Sequence, residues 1–285
     1  MGAGFFLLLL TSPNIPGGDD AYRHVKMASR LIHEPSRVFQ DPWNLVYFWP
    51  HPVDVWFGYH LLLAPFTLAT GLVTAVKLFS SLIFAAIAYL MLLIPRQLDA
   101  PLAPVWVLVA LTGSAISLHR AALSRPFLLS TCLVLWAGWF TLRQKPIGAA
   151  VVSAVHAFSY SIFFLVLLAP AMNLLVRRDK TSLRIALASF GGLLAGLLAS
   201  PYFPQNVLFD AVQVAVPSIA GAAHVKIGGE LGPSNIWWFV GSLPILLLWL
   251  AAVVQFLRRT REASKESVML LAISASALVA SVQAA

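Results

Sequence analysis

What most limits the fold of this chain is the succession of apolar segments that begins near residue 55 and runs to the end, broken only by short basic clusters. The segments lie near 55–72, 75–95, 101–118, 127–142, 146–158, 160–176, 183–200, 235–257 and 267–282. Crossing the hydrocarbon core of a bilayer takes about 20 apolar residues, with a range of ~17–25, and the longer segments meet that length. A water-soluble domain carries roughly 25% charged residues. Here 11% of 285 residues are charged, 59% are hydrophobic and the mean hydropathy is +0.83. No stretch holds the polar surface of a soluble domain, which excludes soluble enzymes, nucleic-acid modules and secreted disulfide scaffolds. The net charge of +8 does not point to nucleic acid as a partner, because the 19 Lys and Arg are scattered among the apolar runs. They read as topology signals and contacts to membrane lipids. Cys132 is the single cysteine, so no intrachain disulfide forms. The expected fold is all-α, a polytopic membrane bundle built as one domain over residues 1–285.

The basic clusters orient the bundle. Arg96, then Arg143 and Lys145, then Arg177, Arg178, Lys180 and Arg184, then Arg258, Arg259, Arg261 and Lys265 stand at segment ends. If all four clusters are cytoplasmic, an even number of crossings separates each from the next. Pairing the segments on that basis leaves 55–72 as a helix in the outer leaflet, its apolar run interrupted by Gly58, Pro65 and Gly71. The short apolar piece 3–10 reads as the outer end of a first helix whose start lies upstream. Within the single domain, residues 1–11 are that helix end and 12–74 an external loop with amphipathic and outer-leaflet helices. A helical core follows over 75–200, an external loop over 201–234 and C-terminal spans over 235–285. All seven histidines and seven of the eleven acids then fall on the outer side or in the outer leaflet. Any active site is expected to face the periplasm or the exterior, which places the chain in a bacterial inner (plasma) membrane.

The first loop holds the densest chemistry. Gly17-Gly18-Asp19-Asp20-Ala21-Tyr22-Arg23-His24 turns tightly and then opens an amphipathic helix over 20–33. One Asp at a helix start is accounted for by capping and by the helix dipole. A second, at the membrane face beside cations, calls for a functional role, because ionisable groups at membrane depth are functional by default. Asp20 and His24 are spaced i, i+4, so they share a helix face and are a possible pair of ligands for a metal.

These residues resemble a family. The Asp-bearing start Asp20-Ala21-Tyr22-Arg23-His24, the aromatic and Pro-rich continuation Phe39-Gln40-Asp41-Pro42-Trp43 and Trp49-Pro50-His51-Pro52, and the string of short helices that follows are similar to the GT-C membrane glycosyltransferases. The catalytic subunit of oligosaccharyltransferase is the nearest in flavour, and the likeness in helix order runs to about residue 200. The resemblance implies transfer of a sugar from a polyprenyl-phosphate-linked donor to an acceptor at the outer membrane face. It implies that Asp20 or Asp19 is catalytic, as a general base on the acceptor or as the holder of a divalent metal. Tyr22, Arg23 and His24 would bind substrate. The second external turn, Ser117 to Pro126, lacks the acidic pair that oligosaccharyltransferases carry there and holds His119, Arg120 and Arg125 instead. Guanidinium groups match phosphate oxygens, so Arg120 and Arg125 are candidates for gripping a lipid-linked phosphate; the plainer account is snorkelling to headgroups. His156, in an apolar hairpin tip, is either a packing residue or part of the site.

In the long outer loop the run 207–216 reads as a surface helix, and Trp237-Trp238 reads as interfacial belt. No Walker A, CxxC, HExxH or GxSxG motif occurs. Two other classes stay open: a non-enzymatic transporter or flippase of lipid-linked sugars, which calls for charges midway through spans, and a truncated, non-catalytic relative.

Overall fold

The computed structural model describes residues 2–11, 18–36, 53–97, 103–112 and 122–222, together with residue 250. The aromatic stretch 37–52, the turn around His119 and Arg120, the segment expected at 235–257 apart from residue 250, and the segment expected at 267–282 lie outside the described residues. Among the described residues the chain is all-α, with no strand. The helices are α1 Gly2–Leu10, α2 Gly18–His33, α3 Phe57–Ala69, α4 Leu72–Gln97, α5 Ala103–Thr112, α6 Pro126–Leu142, α7 Pro146–Ser159, α8 Leu168–Arg177, α9 Lys180–Ala199 and α10 Gln205–Ala222. A 3-10 turn, Phe163–Leu167, leads into α8.

Proline sets two of the starts. Pro126 and Pro146 stand in the first turns of α6 and α7, where a missing N–H costs nothing. A capping box starts α9: the Asp179 carboxylate accepts from Ser182 N–H at 2.7 Å, and Ser182 Oγ accepts from Asp179 N–H at 3.1 Å. The amphipathic helix expected at 20–33 forms as α2, with Ala21, His24, Val25, Met27 and Ala28 buried and Tyr22 and Lys26 facing out. The helix expected at 207–216 is also present, extended at both ends as α10.

By length and composition, Leu72–Ile94 and Lys180–Ala199 are long and apolar enough to cross a membrane. Other apolar helices are shorter. At 1.5 Å per residue, the 17 residues of α6 and the 14 of α7 reach about 26 and 21 Å, short of the ~30 Å hydrocarbon core.

The core forms around α4, which packs against α1, α2, α3, α5 and α6. Phe5 of α1 stacks on Phe84 of α4 with ring centroids 4.1 Å apart. Tyr59, Leu63, Val76 and Leu90 are fully enclosed there. The most extensive helix pair is α7 against α9, and its chemistry is that of small residues. Gly192 and Gly196 lie one turn apart, and a Cβ on either would overlap the carbonyl of Ala150 or Ala154 on α7. Backbone meets backbone there, as in small-xxx-small packing between membrane helices.

That contact separates adjacent glycines. Gly192→Val is expected to destabilise the protein by about 1–3 kcal/mol, as overpacking does. Gly191→Ala, with nothing within 4 Å of the new methyl, is expected to be neutral or stabilising by up to about 1 kcal/mol through helix propensity. Thermal unfolding of both variants in detergent measures the difference, and equal destabilisation would contradict the packing.

Candidate functional site

The start of α2 places Asp20, Arg23 and His24 within one turn, on neighbouring faces. Arg23 forms an ion pair with Asp20 three residues back. A second guanidinium arrives from far along the chain: Arg125 Nε lies 3.1 Å from Asp20 Oδ2. Local backbone chemistry accounts for that approach. Pro126 excludes the helical region for the residue before it, and Arg125 is extended, with φ −109° and ψ 163°. Ser124, fully buried, has φ 53°, a left-handed conformation that costs a non-glycine residue roughly 1–2 kcal/mol. Its carbonyl accepts a hydrogen bond of 3.1 Å from the Tyr59 hydroxyl, which holds the turn in place.

Behind Asp20 runs a buried chain of hydrogen bonds. His24 Nδ1 is 2.8 Å from His60 Nε2, and His60 Nδ1 is 2.6 Å from Asp54 Oδ2. The other carboxylate oxygen of Asp54 accepts from the Trp56 backbone N–H at 3.0 Å. His24, His60 and Asp54 are 1%, 2% and 5% exposed, whereas the Asp20 side chain is 30% exposed. Aromatic rings wall the chain in. Trp56 and Tyr59 meet the His24 ring edge-on at 5.2 and 5.5 Å, and the Arg23 guanidinium lies over the Trp56 ring at 5.1 Å. Burial first, and then the neighbouring His60 ring and the Arg23 and Arg125 guanidiniums, which disfavour a cation on His24, hold its imidazole well below the ordinary value near 6.5. His24 is therefore neutral. Its Nε2 makes no hydrogen bond and lies 3.8 Å from Asp20 Oδ2.

The segment carrying Asp54 is clamped from its other side. Val53 and Val55 pack with Tyr202 and Phe209. Burial, together with the charge of Asp54, pushes the Tyr202 phenol up. Asp210, next to Phe209, is itself buried with one carboxylate oxygen unbonded, and burial raises it to about 8.

Of the residues singled out in the sequence, Asp20, Arg23, His24 and Arg125 meet at one place. Tyr22 shares the helix but is turned outward. Asp19 belongs to the first turn of α2, and its side chain lies outside the described residues, as do His119 and Arg120. His156 is fully buried, with Nε2 2.8 Å from Ser130 Oγ and its ring edge-on to Tyr160. Through that contact it ties α6 to α7. Among the described residues no three His, Cys, Asp or Glu converge as a metal-ligand set. Asp20 and His24 do face each other, but two guanidiniums already neutralise Asp20, so the described donors do not fit a divalent cation.

The sequence reading missed Asp54, His60, Trp56 and Tyr59 as site residues. Asp54 and His60 are six apart, a spacing that puts two residues on different faces of a helix, and the segment carries no strand pattern to bring them together. They meet because residues 54–56 form a turn that Asp54 itself stabilises by accepting from Trp56 N–H. No family model, no curated protein and no solved structure matches the chain.

Two buried groups give stability opposite dependences on pH. As pH falls below 6.5 the unfolded chain takes up a proton at His24 that the folded chain does not. Stability is therefore lost there, by at most about 1.4 kcal/mol per pH unit. Asp210 acts in reverse. Between 3.8 and about 8 the folded chain holds a proton there that the unfolded chain has released, so stability is lost as pH rises. Unfolding midpoints across pH 5–9 are expected to show less acid destabilisation in His24→Gln and less alkaline destabilisation in Asp210→Asn. Separately, Tyr59→Phe is expected to cost about 1 kcal/mol through the lost bond to Ser124.

Proposed function

We propose that this chain is a polytopic membrane glycosyltransferase of the GT-C type. It transfers a sugar from a polyprenyl-phosphate-linked donor to an acceptor at the outer face of a bacterial inner membrane. The observation that supports this reading best is the direct pairing of Asp20 with Arg125, two partly exposed side chains brought together from α2 and from the turn before α6. An acid and a guanidinium side by side supply the two things such a transfer needs. The carboxylate positions the acceptor hydroxyl and draws off its proton. The guanidinium faces the donor phosphate and stabilises the charge that grows there as the phosphate leaves.

The step is an inverting displacement. The acceptor oxygen bonds to the anomeric carbon as the bond from that carbon to the phosphate oxygen breaks, and the electron pair leaves with the polyprenyl phosphate. A lipid-borne donor needs no nucleotide-binding domain, which agrees with the absence of a phosphate-cradling loop motif in the sequence. On this reading α2 and α3 lie at the outer face, and α4 and α9 cross the bilayer with the shorter apolar helices packed around them.

One feature favours the transport reading: Lys77 is buried in the second turn of α4, a helix apolar enough to span, and buried charges in spans mark substrate or ion paths.

Purified protein in lipid, offered a panel of radiolabelled polyprenyl-phosphate sugars, distinguishes the two. Wild type is expected to transfer label, and Asp20→Asn to reduce kcat by 10²-fold or more, on the scale of ~10²–10⁴ for a lost general base. Arg125→Ala is expected to weaken donor binding as well. No transfer by wild type from any donor, with label instead moving across vesicle membranes, would replace the enzyme reading with transport.

A further inference from the structure

The hydrogen-bond chain behind Asp20 has a directionality that its charges dictate. Asp54 is a buried carboxylate and can only accept, so His60 Nδ1 carries a proton and donates it. One proton remains for the 2.8 Å contact between His60 Nε2 and His24 Nδ1. With both rings neutral it sits on His24 Nδ1, and His24 Nε2 is then a bare lone pair 3.8 Å from the Asp20 carboxylate. Two acceptors face each other across that gap, and the arrangement is relieved by a single added proton.

We propose that Asp54, His60 and His24 form a buried proton-uptake chain behind Asp20. A proton received at His24 Nε2 drives the shared proton from His24 Nδ1 to His60 Nε2, and the positive charge comes to rest on His60 beside Asp54. His24 begins and ends neutral, with its one proton moved from Nδ1 to Nε2. The charged neighbours favour that outcome. Arg23 and Arg125 offset the Asp20 carboxylate and, with burial, oppose a cation on His24, while Asp54, in direct contact with His60, stabilises one there. Of the other described titratable groups on the packed elements, the Tyr59 phenol lies beside the His24 ring, Tyr202 feels the Asp54 charge, and Lys77 on α4 and His156 on α7 are also buried. Once Nε2 carries the proton it is a donor facing a carboxylate, which draws the 3.8 Å gap toward hydrogen-bond length.

This deepens the glycosyl-transfer reading and depends on it only for the source of the proton. Asp20 touches the acceptor, and the hydroxyl proton passes through its carboxylate to His24 Nε2 as the new glycosidic bond forms. After product leaves, the same path run backwards returns the proton to water. Asp54 and His60 act through His24 and are positioning residues; their contribution is to give a weak, ion-paired carboxylate a place to deposit its proton.

The test reads the chain directly. Full-length protein labelled with ¹⁵N-histidine, in nanodiscs of phosphatidylcholine and phosphatidylglycerol, is titrated while the ring nitrogens are followed by solid-state NMR. His24→Gln and His60→Gln assign the signals. At high pH the expected result is a protonated His24 Nδ1 coupled through a hydrogen bond to an unprotonated His60 Nε2, with His24 Nε2 unprotonated. On acidification His60 becomes doubly protonated as His24 switches tautomer in the same step. A second proton on His24, or a His60 that titrates while the His24 tautomer stays fixed, would overturn the proposal.

In Asp54→Asn, proton affinity is expected to fall about tenfold or more, the scale of a lost opposite charge. Where sugar transfer is measurable, the acid limb of its pH profile shifts down with it, and kcat falls at unchanged KM. The wild-type titration stands even if Asp54→Asn fails to fold. It needs no substrate, so failure of the chain and failure of the glycosyltransferase reading are separate results.

Discussion

A carboxylate with 5% of its surface exposed cannot remain ionised in apolar surroundings without strong partners. Asp54 has two, the His60 imidazole at 2.6 Å and the Trp56 N–H at 3.0 Å, and the packing of α2 and α3 follows from satisfying it. His60 is a residue of α3, so the pair fixes α3 against the turn before it. His60 then engages His24 and so fixes α2 against α3. Val53 and Val55, on either side of Asp54, anchor the same turn to Tyr202 and Phe209. Removing one partner of such a group costs more than making the pair contributes, because the other partner is left buried and unsatisfied. The pair thus specifies the arrangement of three elements more than it adds to net stability.

The site grows out of this layer in graded exposure. Asp54 is deepest, His60 and His24 lie between, and Asp20 with its two guanidiniums meets the surface. Burial and like charge make His24 a reluctant cation, yet it belongs to a two-ring chain that ends in a carboxylate on each side. That opposition, neutral rings held between anions, is what separates this cluster from a surface ion-pair network, where water would screen each charge independently.

Much of the helical order was legible in the sequence. Apolar runs bounded by Pro126, Pro146 and the Asp179–Ser182 cap carry their own start signals, and the 3.6-residue rhythm of α2 is clear from Ala21, Val25 and Ala28. Asp20, Arg23 and His24 were readable as one group for the same reason, since helical periodicity converts sequence spacing into proximity. Arg125 was readable as a cation at a helix start, but its partner was not, because the approach depends on a left-handed Ser124 and on a Tyr59 hydroxyl 65 residues away. Asp54 and His60 escaped for a related reason: their contact is made by a turn, and turns obey no period. The crossing pattern drawn from basic clusters treated α6 and α7 as full spans; the 17 residues of α6 stand at the lower end of the spanning range and the 14 of α7 below it.

The glycine seam between α7 and α9 has a mechanical consequence. Packed helices slide past one another when interleaved side chains can change rotamer and absorb the motion, the basis of shear in helical proteins. At Gly192 and Gly196 there are no side chains to do so, and the carbonyls of Ala150 and Ala154 occupy the space instead. The two helices therefore move as one strut. Gly58 ties α3 to the end of that strut, since a Cβ there would strike Ser159 and Phe158 of α7. Any rearrangement near Asp20 therefore falls to α2 or to the turn leading into Arg125, while the strut and α3 stay in place.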